Sequence, residues 1–313
     1  MIRTQTLSEV SMNLKHASYV LAVLREGSIT AAAKKLYVSQ PSLSQTIKQV
    51  EQNLGAPIFD RSTDPLALTY AGELYVKAVQ QVMTISTNLQ NEIEEMKKET
   101  HGRLRLGISI QRGLQLLPLV IPPFTRKYPH VKIELIEHGS DTLERLTTEG
   151  ECDIALITTN EKPSALEYIL LETEQLVLMA DRSTDIAQRI PDGTPIDITE
   201  AAAERFVCLC PGHSVRTIQD RLFQLHQMKP SILLESNSLE ACKNVAARAG
   251  AVMICPYVYI AGSRDLLYRV HCYPIKNNDY ERHFYLCYRR GLYFTRFMED
   301  FLSIVRQQLG KSV

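Results

Sequence analysis

The stretch that decides the fold of the N-terminal part covers residues 28–55, which read SITAAAKKLYVSQPSLSQTIKQVEQNLG. Ser28 is a good N-cap for a short, alanine-rich helix. Ser39 is a second N-cap, and Pro41 suits the first turn of the helix that follows. Gly55 is a typical residue for ending that helix. The stretch therefore predicts two helices joined by a tight turn, as in a helix-turn-helix unit.

A helix precedes this stretch and a short irregular segment follows it. Apolar residues at helical spacing predict the first helix between Asn13 and Gly27. Two short apolar runs within 57–69 flank a polar turn, which predicts a β-hairpin wing. Residues 13–69 thus predict a mainly-α winged helix-turn-helix domain, after a loose N-terminal extension at 1–12.

A long helix is predicted from Tyr70 to about Glu99. Its apolar residues recur at spacings of four and three, which is the pattern of a coiled-coil seam. The seam consists of Ala71, Tyr75, Ala78, Val82, Ile85 and Leu89. Such a seam packs on its own domain or on a second copy, and the adjacent helix-turn-helix favours the second copy. We predict that 70–101 is a linker helix that forms a dimer.

Strand-like and helix-like segments alternate over 102–313, beginning with the alternating apolar run Leu104–Ile108. This alternation predicts an α/β domain with parallel sheets covered by helices on both faces. We expect two lobes. Lobe I is predicted at 102–173 and 275–313, and lobe II at 174–274.

Composition limits the class of protein. A chain of 313 residues is too long for one ordinary domain. Lys and Arg number 35, as do Asp and Glu, so any DNA binding must depend on local patches. Between Asn13 and Thr69, six Lys and Arg face four Asp and Glu, so a monomer would bind DNA weakly. No apolar run reaches the ~18 residues of a membrane helix, and the start lacks an apolar signal core, so we expect a cytoplasmic protein without a membrane partner.

Cysteine usage and motif content argue against several activities. The seven cysteines are scattered without a C-x-x-C pair, which favours a reduced compartment, and Cys208 lies in a predicted buried strand. No metal-ligand spacing, phosphate loop or G-x-S-x-G motif occurs. We therefore predict no enzymatic activity, no cofactor and no metal. A two-lobed solute-binding receptor and an α/β metabolic enzyme stay open as alternatives to a DNA-binding protein.

Segments along nearly the whole chain resemble the LysR-type transcriptional regulators, most specifically in the N-terminal part. The matching segments are Ser28–Leu36, Val38–Ser44, Ile47–Gly55, Ile58–Arg61, Leu68–Gly72, Leu116–Pro118, Tyr128-Pro129, Gly150–Ala155 and Ala249-Gly250. The resemblance implies a winged helix-turn-helix, a linker helix that pairs two subunits, and a two-lobed, Rossmann-like effector domain resembling periplasmic binding proteins. It implies double-stranded operator DNA and a small-molecule effector as partners, RNA polymerase as a candidate partner, and homodimers that assemble into tetramers.

The predicted DNA-contacting residues cluster at the head of the third helix, because the first turns of such a helix enter the major groove. Glutamines there suit adenine edges, and lysines suit phosphates. The set is Ser39, Gln40, Pro41, Ser42, Ser44, Gln45 and Lys48, with Lys34 and Lys35 on the second helix and Arg61 in the wing. For Ser39 alone, simple helix capping is the competing interpretation. Many family members carry Arg where this chain has Gln45, which alters the expected base preference.

The predicted effector residues lie where strands end and helices begin, since ligands bind there in open α/β sheets and free N–H groups attract anions. The set is Ser109, Ile110, Gln111, Arg112, His138, Gly139, Ser140, Thr158, His213, Ser214 and Val215. Each polar member alternatively caps a helix or lies in a surface loop. We expect a small, anionic effector. Family members that sense peroxide carry a reactive cysteine after a Gly-His pair, but here Ser214 follows His213, so we expect no such sensing.

Overall fold

The computed structural model describes residues 13–96, 101–159, 162–276 and 282–310. The predicted extension at 1–12 lies outside these residues. The chain forms two compact units. Of the described residues, the first unit contains 13–96 together with Thr148–Glu151 and Arg289–Thr295, and the second contains the others.

The N-terminal unit contains the predicted helices and the predicted wing. Its elements are α1 (Leu14–Glu26), α2 (Ile29–Lys35), α3 (Gln40–Leu54), β1 (Phe59–Asp60), β2 (Ala67–Leu68) and α4 (Tyr70–Met96). The side chains of Asn13, Ser28 and Ser39 accept backbone N–H groups at the starts of the first three helices. β1 and β2 pair antiparallel, which confirms the winged helix-turn-helix. Residues 97–100, the expected end of the long helix, lie outside the described part.

The core of this head domain forms where three helices meet. Val20 of α1, Ile47 of α3 and Val79 of α4 are each 0% exposed. Leu43 and Ile58 join the same cluster. Burial of these apolar side chains is the main stabilising contribution to a domain of this size.

The wing and the linker helix meet at a close backbone contact. The Thr69 hydroxyl accepts the N–H of Gly72 at 3.0 Å, and the Thr69 N–H donates to the Ile58 carbonyl oxygen at 3.0 Å. A Cβ atom at Gly72 would overlap that same carbonyl oxygen and would lie 3.1 Å from a methyl carbon of Leu68. The first turn of α4 therefore requires glycine at this position.

The second unit contains two five-stranded sheets with helices around them. Its elements are β3 (His101–Ile108), α5 (Ile110–Lys127), β4 (His130–Glu137), α6 (Ser140–Thr148), β5 (Ile154–Thr158), β6 (Leu166–Glu174), β7 (Leu176–Asp181), α7 (Asp185–Arg189), a 3-10 helix (Ile198–Ala201), β8 (Arg205–Leu209), α8 (Ser214–Leu225), β9 (Ser231–Ser236), α9 (Leu239–Ala246), β10 (Val252–Pro256), α10 (Val258–Ala261), α11 (Arg264–Arg269), β11 (Val270–Pro274), β12 (Arg282–Arg289) and α12 (Arg296–Leu309). The strand order is β4-β3-β5-β12-β6 in the first sheet and β11-β7-β10-β8-β9 in the second.

The expectation of purely parallel sheets is wrong at two strands. β3 pairs parallel with β4 and β5, and β8 pairs parallel with β9 and β10. However, β12 is antiparallel to β5, and β7 is antiparallel to β10 and β11. The chain runs from β6 in the first sheet directly into β7 in the second, without a crossover helix between them. β7 is therefore antiparallel to its neighbours β10 and β11, each of which follows a helix.

Successive side chains of the second sheet point into two separate apolar layers, as the two-residue period of a strand requires. Leu178 and Ile254 lie in one layer. Met179 and Met253 lie in the other. Both faces are buried, which explains why these strands read as continuous apolar runs. None of the helices within the described ranges is both long and apolar enough to cross a membrane.

We predict that Gly72→Ala destabilises the head domain by about 1–3 kcal/mol, because the added methyl group must displace a carbonyl that is already hydrogen-bonded. Urea unfolding of the full chain, followed by circular dichroism, measures this difference. Gly262→Ala is the matched control, since a Cβ there meets nothing within 4 Å and φ is −78°. Equal stability of the two variants would contradict the close approach at Gly72.

Candidate DNA-binding surface and effector site

Helix α3 buries an apolar face and exposes a polar one. Leu43 and Ile47 are fully buried, and Val50 lies beside them. The predicted contact residues Gln40, Pro41, Ser42, Gln45 and Lys48 are all exposed, whereas Ser44 is half-buried. Because 41, 45 and 48 are separated by four and three residues, their side chains form one stripe along the helix. The arrangement leaves amide and ammonium donors on a single accessible face.

Two hydroxyl groups near the start of α3 are engaged within the helix. The Ser39 side chain accepts the N–H of Ser42 at 3.4 Å, and the Thr46 hydroxyl donates to the Ser42 carbonyl oxygen at 3.0 Å. Ser39 thus performs the capping role that competed with DNA contact. The Ser42 side chain is exposed on the same face as Gln45.

The cations predicted to contact phosphate differ in their surroundings. Lys34 and Lys35 are exposed on the last turn of α2, and Lys35 forms an ion pair of 2.9 Å with Glu26. In the wing, Arg61 lies 3.0 Å from Glu51 of α3. The other carboxylate oxygen of Glu51 accepts the N–H of Ile58 at 2.9 Å. Glu51 therefore positions the wing against α3 and orients Arg61.

The linker helix α4 divides the predicted seam into two parts. Tyr75 is only 8% exposed, because it packs in the core of its own head domain. Farther along, Val82, Ile85 and Leu89 are 37%, 67% and 57% exposed. Ile93 continues this exposed stripe at 43%. The first half of the seam thus packs on its own domain, and the second half is exposed within one chain.

At the predicted effector crevice, several polar side chains already have partners. Ser109 caps α5 by accepting the N–H of Arg112 at 3.4 Å, and Ser140 accepts the N–H of Thr158 at 3.2 Å. His213 lies 3.3 Å from Asn237 through its Nε2 atom. The Ser109 contact is a helix cap, whereas the Ser140 contact joins the end of β5 and the His213 side chain caps no helix. Each side chain keeps hydrogen-bonding capacity for a ligand.

The remaining members of the set differ in exposure. His138 and Gly139 are exposed, as is Ile110, and Gln111 is half-buried. Val215 is 4% exposed and packs in the core of the second sheet. Its side chain therefore belongs to that core and is not presented to a ligand in this arrangement.

Arg112 points inward and is 2% exposed. Its guanidinium forms an ion pair with Glu172, and its Nη1 atom lies 3.6 Å from Oε1 of Glu174. The same group lies over the ring of Phe284, 4.1 Å from the ring centre. Two carboxylates therefore already compensate its charge, so Arg112 does not offer the uncompensated cation that the expected anionic effector requires.

Glu174 connects Arg112 to a second buried arginine. Its carboxylate forms an ion pair with Arg282, whose side chain donates to the Ser214 hydroxyl at 3.1 Å and to the Tyr259 hydroxyl at 3.3 Å. The cluster thus joins α5, the strands on either side of the lobe crossing, and two helices of the second lobe. Buried charges require such pairing because desolvation is costly. Removing Arg112 would take this partner from Glu172, and removing Arg282 would leave Glu174 with the more distant Arg112.

A cavity of about 460 Å³ lies along the flank of α5, opposite the segment that follows β10. Gln111 and Arg112 are the two predicted effector residues that line it. The Oε1 atom of Gln115 is buried there without a hydrogen-bond partner among the described residues. Its other lining side chains are mainly apolar, with Glu240, Lys243 and Tyr259 among the polar ones. The cavity therefore suits an amphipathic molecule with a hydrogen-bond donor.

Comparison with known families covers both units. Residues 14–73 match the bacterial regulatory helix-turn-helix proteins of the lysR family, and residues 97–310 match the LysR substrate binding domain.

The chain belongs to the LysR family of bacterial transcriptional regulators.

Relatives of this LysR-family regulator are themselves described as transcriptional regulators. It is 31% identical over 257 residues to a probable RuBisCO transcriptional regulator of Emiliania huxleyi, covering 79% of this chain and 80% of the relative. It is 29% identical to the HTH-type transcriptional regulator YybE of Bacillus subtilis, over 78% of this chain and 82% of the relative. Among solved structures, full-length OxyR from Pseudomonas aeruginosa superposes with a TM-score of 0.65 at 21% identity, covering 96% and 95% of the two chains. Full-length BenM superposes with a TM-score of 0.57 at 22% identity, covering 96% and 97%.

The cysteines of this regulator are mostly inert. All seven are free thiols, and six are buried. Burial raises the pKa of the Cys208 thiol to about 11 and that of Cys255 to about 12, so both stay protonated near neutral pH and are weak nucleophiles. Cys208 lies in a buried strand as predicted. Cys210 is partly exposed where that strand ends.

Sequence reasoning missed the residues that organise both sites. The sequence predicts no role for Glu51, which lies in a segment that resembles the family, although its carboxylate anchors the wing. Glu174 and Arg282 stand at the end of β6 and the start of β12, and their pairing depends on contacts across 108 positions of the chain. The available signal is a charged residue at the end of a strand, and it is weak because β6 and β12 carry other charged residues as well. Gln52, exposed four residues after Lys48, extends the stripe on α3.

Proposed function

We propose that this regulator binds operator DNA as a homodimer, that the linker helices α4 pair, and that a small molecule between the two lobes alters DNA binding. The observation that carries the proposal is the presence, in one unit, of an exposed polar stripe on α3 and an exposed apolar stripe on α4. The first suits the major groove and the second suits another copy of the same helix. In this proposal the protein acts by binding and catalyses no reaction.

The chemistry of the α3 stripe supports a division of roles. Gln45 and Gln40 carry paired donors and acceptors that match the N6 and N7 atoms of adenine. Lys48 carries a point charge that suits a phosphate, and Lys34 and Lys35 extend the positive surface. Arg61, oriented by Glu51, suits a phosphate or the minor groove beside the wing. The small positive excess of the head supports two heads acting together.

We predict that Gln45→Ala reduces the preference for one base pair by about 1–3 kcal/mol. Lys48→Ala should weaken binding to all sequences alike and make the salt dependence less steep, because one fewer counterion is released. Fluorescence anisotropy measures both, on a duplex selected from random DNA by the wild-type protein and on a scrambled duplex. Wild-type behaviour of both variants would exclude α3 as the contact surface.

The exposed stripe on α4 supports pairing with a second copy of this chain. Exposed apolar side chains at spacings of three and four cover one side of a helix, and a partner helix with the same pattern buries them most completely. We include the assembly of dimers into tetramers and a contact with RNA polymerase only because the resemblance to the family implies them. The carboxylate substitutions below test the dimer directly.

We predict that Ile85→Asp combined with Leu89→Asp abolishes the dimer, because each of the two paired helices would bury two carboxylates in the interface. Sedimentation velocity of the full chain should show monomers. Gln90→Asp is the control, since Gln90 is exposed and lies off the apolar stripe, and this variant should remain dimeric. A dimeric double variant would place the interface elsewhere.

Balanced charges around Arg112 bear on the nature of the effector. Because Glu172 and Glu174 compensate Arg112, an anionic group would depend on backbone N–H donors at the starts of α5 and α8 and on His213. The apolar lining of the cavity beside α5 favours a ligand with an apolar part as well. We therefore propose a small, amphipathic carboxylate that extends from the crevice toward Gln111.

We predict that such a carboxylate raises the thermal unfolding midpoint of the full chain and changes its affinity for the selected duplex. Gln111→Ala should lower the affinity for this ligand about tenfold, which corresponds to about 1.4 kcal/mol. Gln224→Ala, an exposed position on the last turn of α8, should leave ligand binding unchanged. A ligand that binds Gln111→Ala as tightly as wild type, or that leaves DNA affinity unaltered, would exclude this site.

A further inference from the structure

Tyr37 connects α2 to α3 with an unusual backbone conformation. Its φ is 55°, in the left-handed region that L residues with large side chains rarely adopt. The N–H groups of Tyr37 and Val38 donate to the carbonyl oxygens of Lys34 and Ala33, at 3.3 and 3.1 Å, and close the end of α2. The left-handed residues that end α1 and α3 are both glycines, Gly27 and Gly55, as is usual. The turn within the helix-turn-helix therefore carries a tyrosine where glycine is the favourable choice.

The Tyr37 side chain does not offset this strain by packing. It is 96% exposed, so its ring buries almost no apolar surface. Its hydroxyl has no hydrogen-bond partner among the described residues. Strained residues that persist without a packing reason cluster at functional sites.

The position of Tyr37 places its hydroxyl beside groups that attract phosphate. Tyr37 lies two residues before Ser39, the cap of α3, where the N-terminus carries a positive partial charge. Lys34 and Lys35 are exposed on the preceding turn of α2. When the first turns of α3 enter the major groove, the turn before them faces the sugar-phosphate backbone at the edge of the groove. A phenol hydroxyl is a neutral donor that suits a phosphate oxygen there.

We propose that the Tyr37 hydroxyl donates a hydrogen bond to a DNA phosphate at the edge of the groove that receives α3, and that the head domain loses stability for this contact. The proposal rests on the DNA-binding role of α3 proposed above. It adds a backbone contact that positions α3 and carries no base preference.

Tyr37→Gly should raise the thermal unfolding midpoint of the head by a few degrees, because glycine relieves the left-handed strain. The same variant should bind the selected and scrambled duplexes about tenfold more weakly, as expected for a lost hydrogen bond to a charged group. The salt dependence should not change, because a neutral hydroxyl releases no counterion. Tyr37→Phe should lose as much affinity as Tyr37→Gly without the gain in stability.

Gln227→Gly is the matched control. Gln227 is the other described non-glycine residue with a positive φ, 51°, and it is exposed just after α8. This variant should gain stability while DNA affinity stays at the wild-type value. Calorimetry of the full chain and fluorescence anisotropy on the same duplexes provide both measurements.

Wild-type DNA affinity in Tyr37→Gly or in Tyr37→Phe would overturn the phosphate contact. Lower stability of Tyr37→Gly would overturn it too, since the ring would then have a structural role. Normal DNA binding with a loss of transcription control would assign Tyr37 to a protein partner instead. If Lys48→Ala loses affinity while the Tyr37 variants keep it, this inference fails and the role of α3 stands. If wild type selects no duplex at all, the proposed function itself fails.

Discussion

The linker helix α4 carries an apolar seam that is longer than its own head domain can bury, and this constraint organises the first unit. In its first turns, Tyr75 and Val79 complete the core of the head domain. Farther along, Ile85 and Leu89 are exposed to solvent within one chain. A helix of 27 residues extends well beyond a small domain, so one head cannot cover the whole seam. The first turns of α4 therefore belong to the head, and the later turns leave an apolar stripe exposed.

The joint at the start of α4 extends this constraint to the wing. The Ile58 carbonyl, the Thr69 hydroxyl and the missing side chain at Gly72 hold the hairpin against the first turn of the helix. Glu51 ties the same hairpin to α3. The wing thus contacts both α3 and the first turn of α4, so the three elements are held together in one head domain.

In the second unit, a cluster of buried charges adds to the apolar packing around the two sheets. Arg112, Glu174 and Arg282 lie where the chain passes between the two sheets, and each depends on the others for compensation. Ser214 and Tyr259 of the second lobe bond to the same cluster. Because breaking one pair would leave a charge buried and unpaired, the cluster strongly favours one arrangement of the lobes. A ligand that altered these contacts would change the free-energy balance between lobe arrangements.

Much of this protein follows from local sequence patterns. The caps Ser28 and Ser39, the helix-ending glycines and the apolar spacing of α1 to α4 determine the head domain, because caps and amphipathic faces are properties of neighbouring residues. The alternating segments after residue 102 likewise determine an α/β unit. Only the tertiary structure decided the direction of β7 and β12, the division of the α4 seam, and the inward position of Arg112. Each of these depends on residues far apart in the chain, such as Glu174 and Arg282, whose attraction exists only after folding has excluded water from between them.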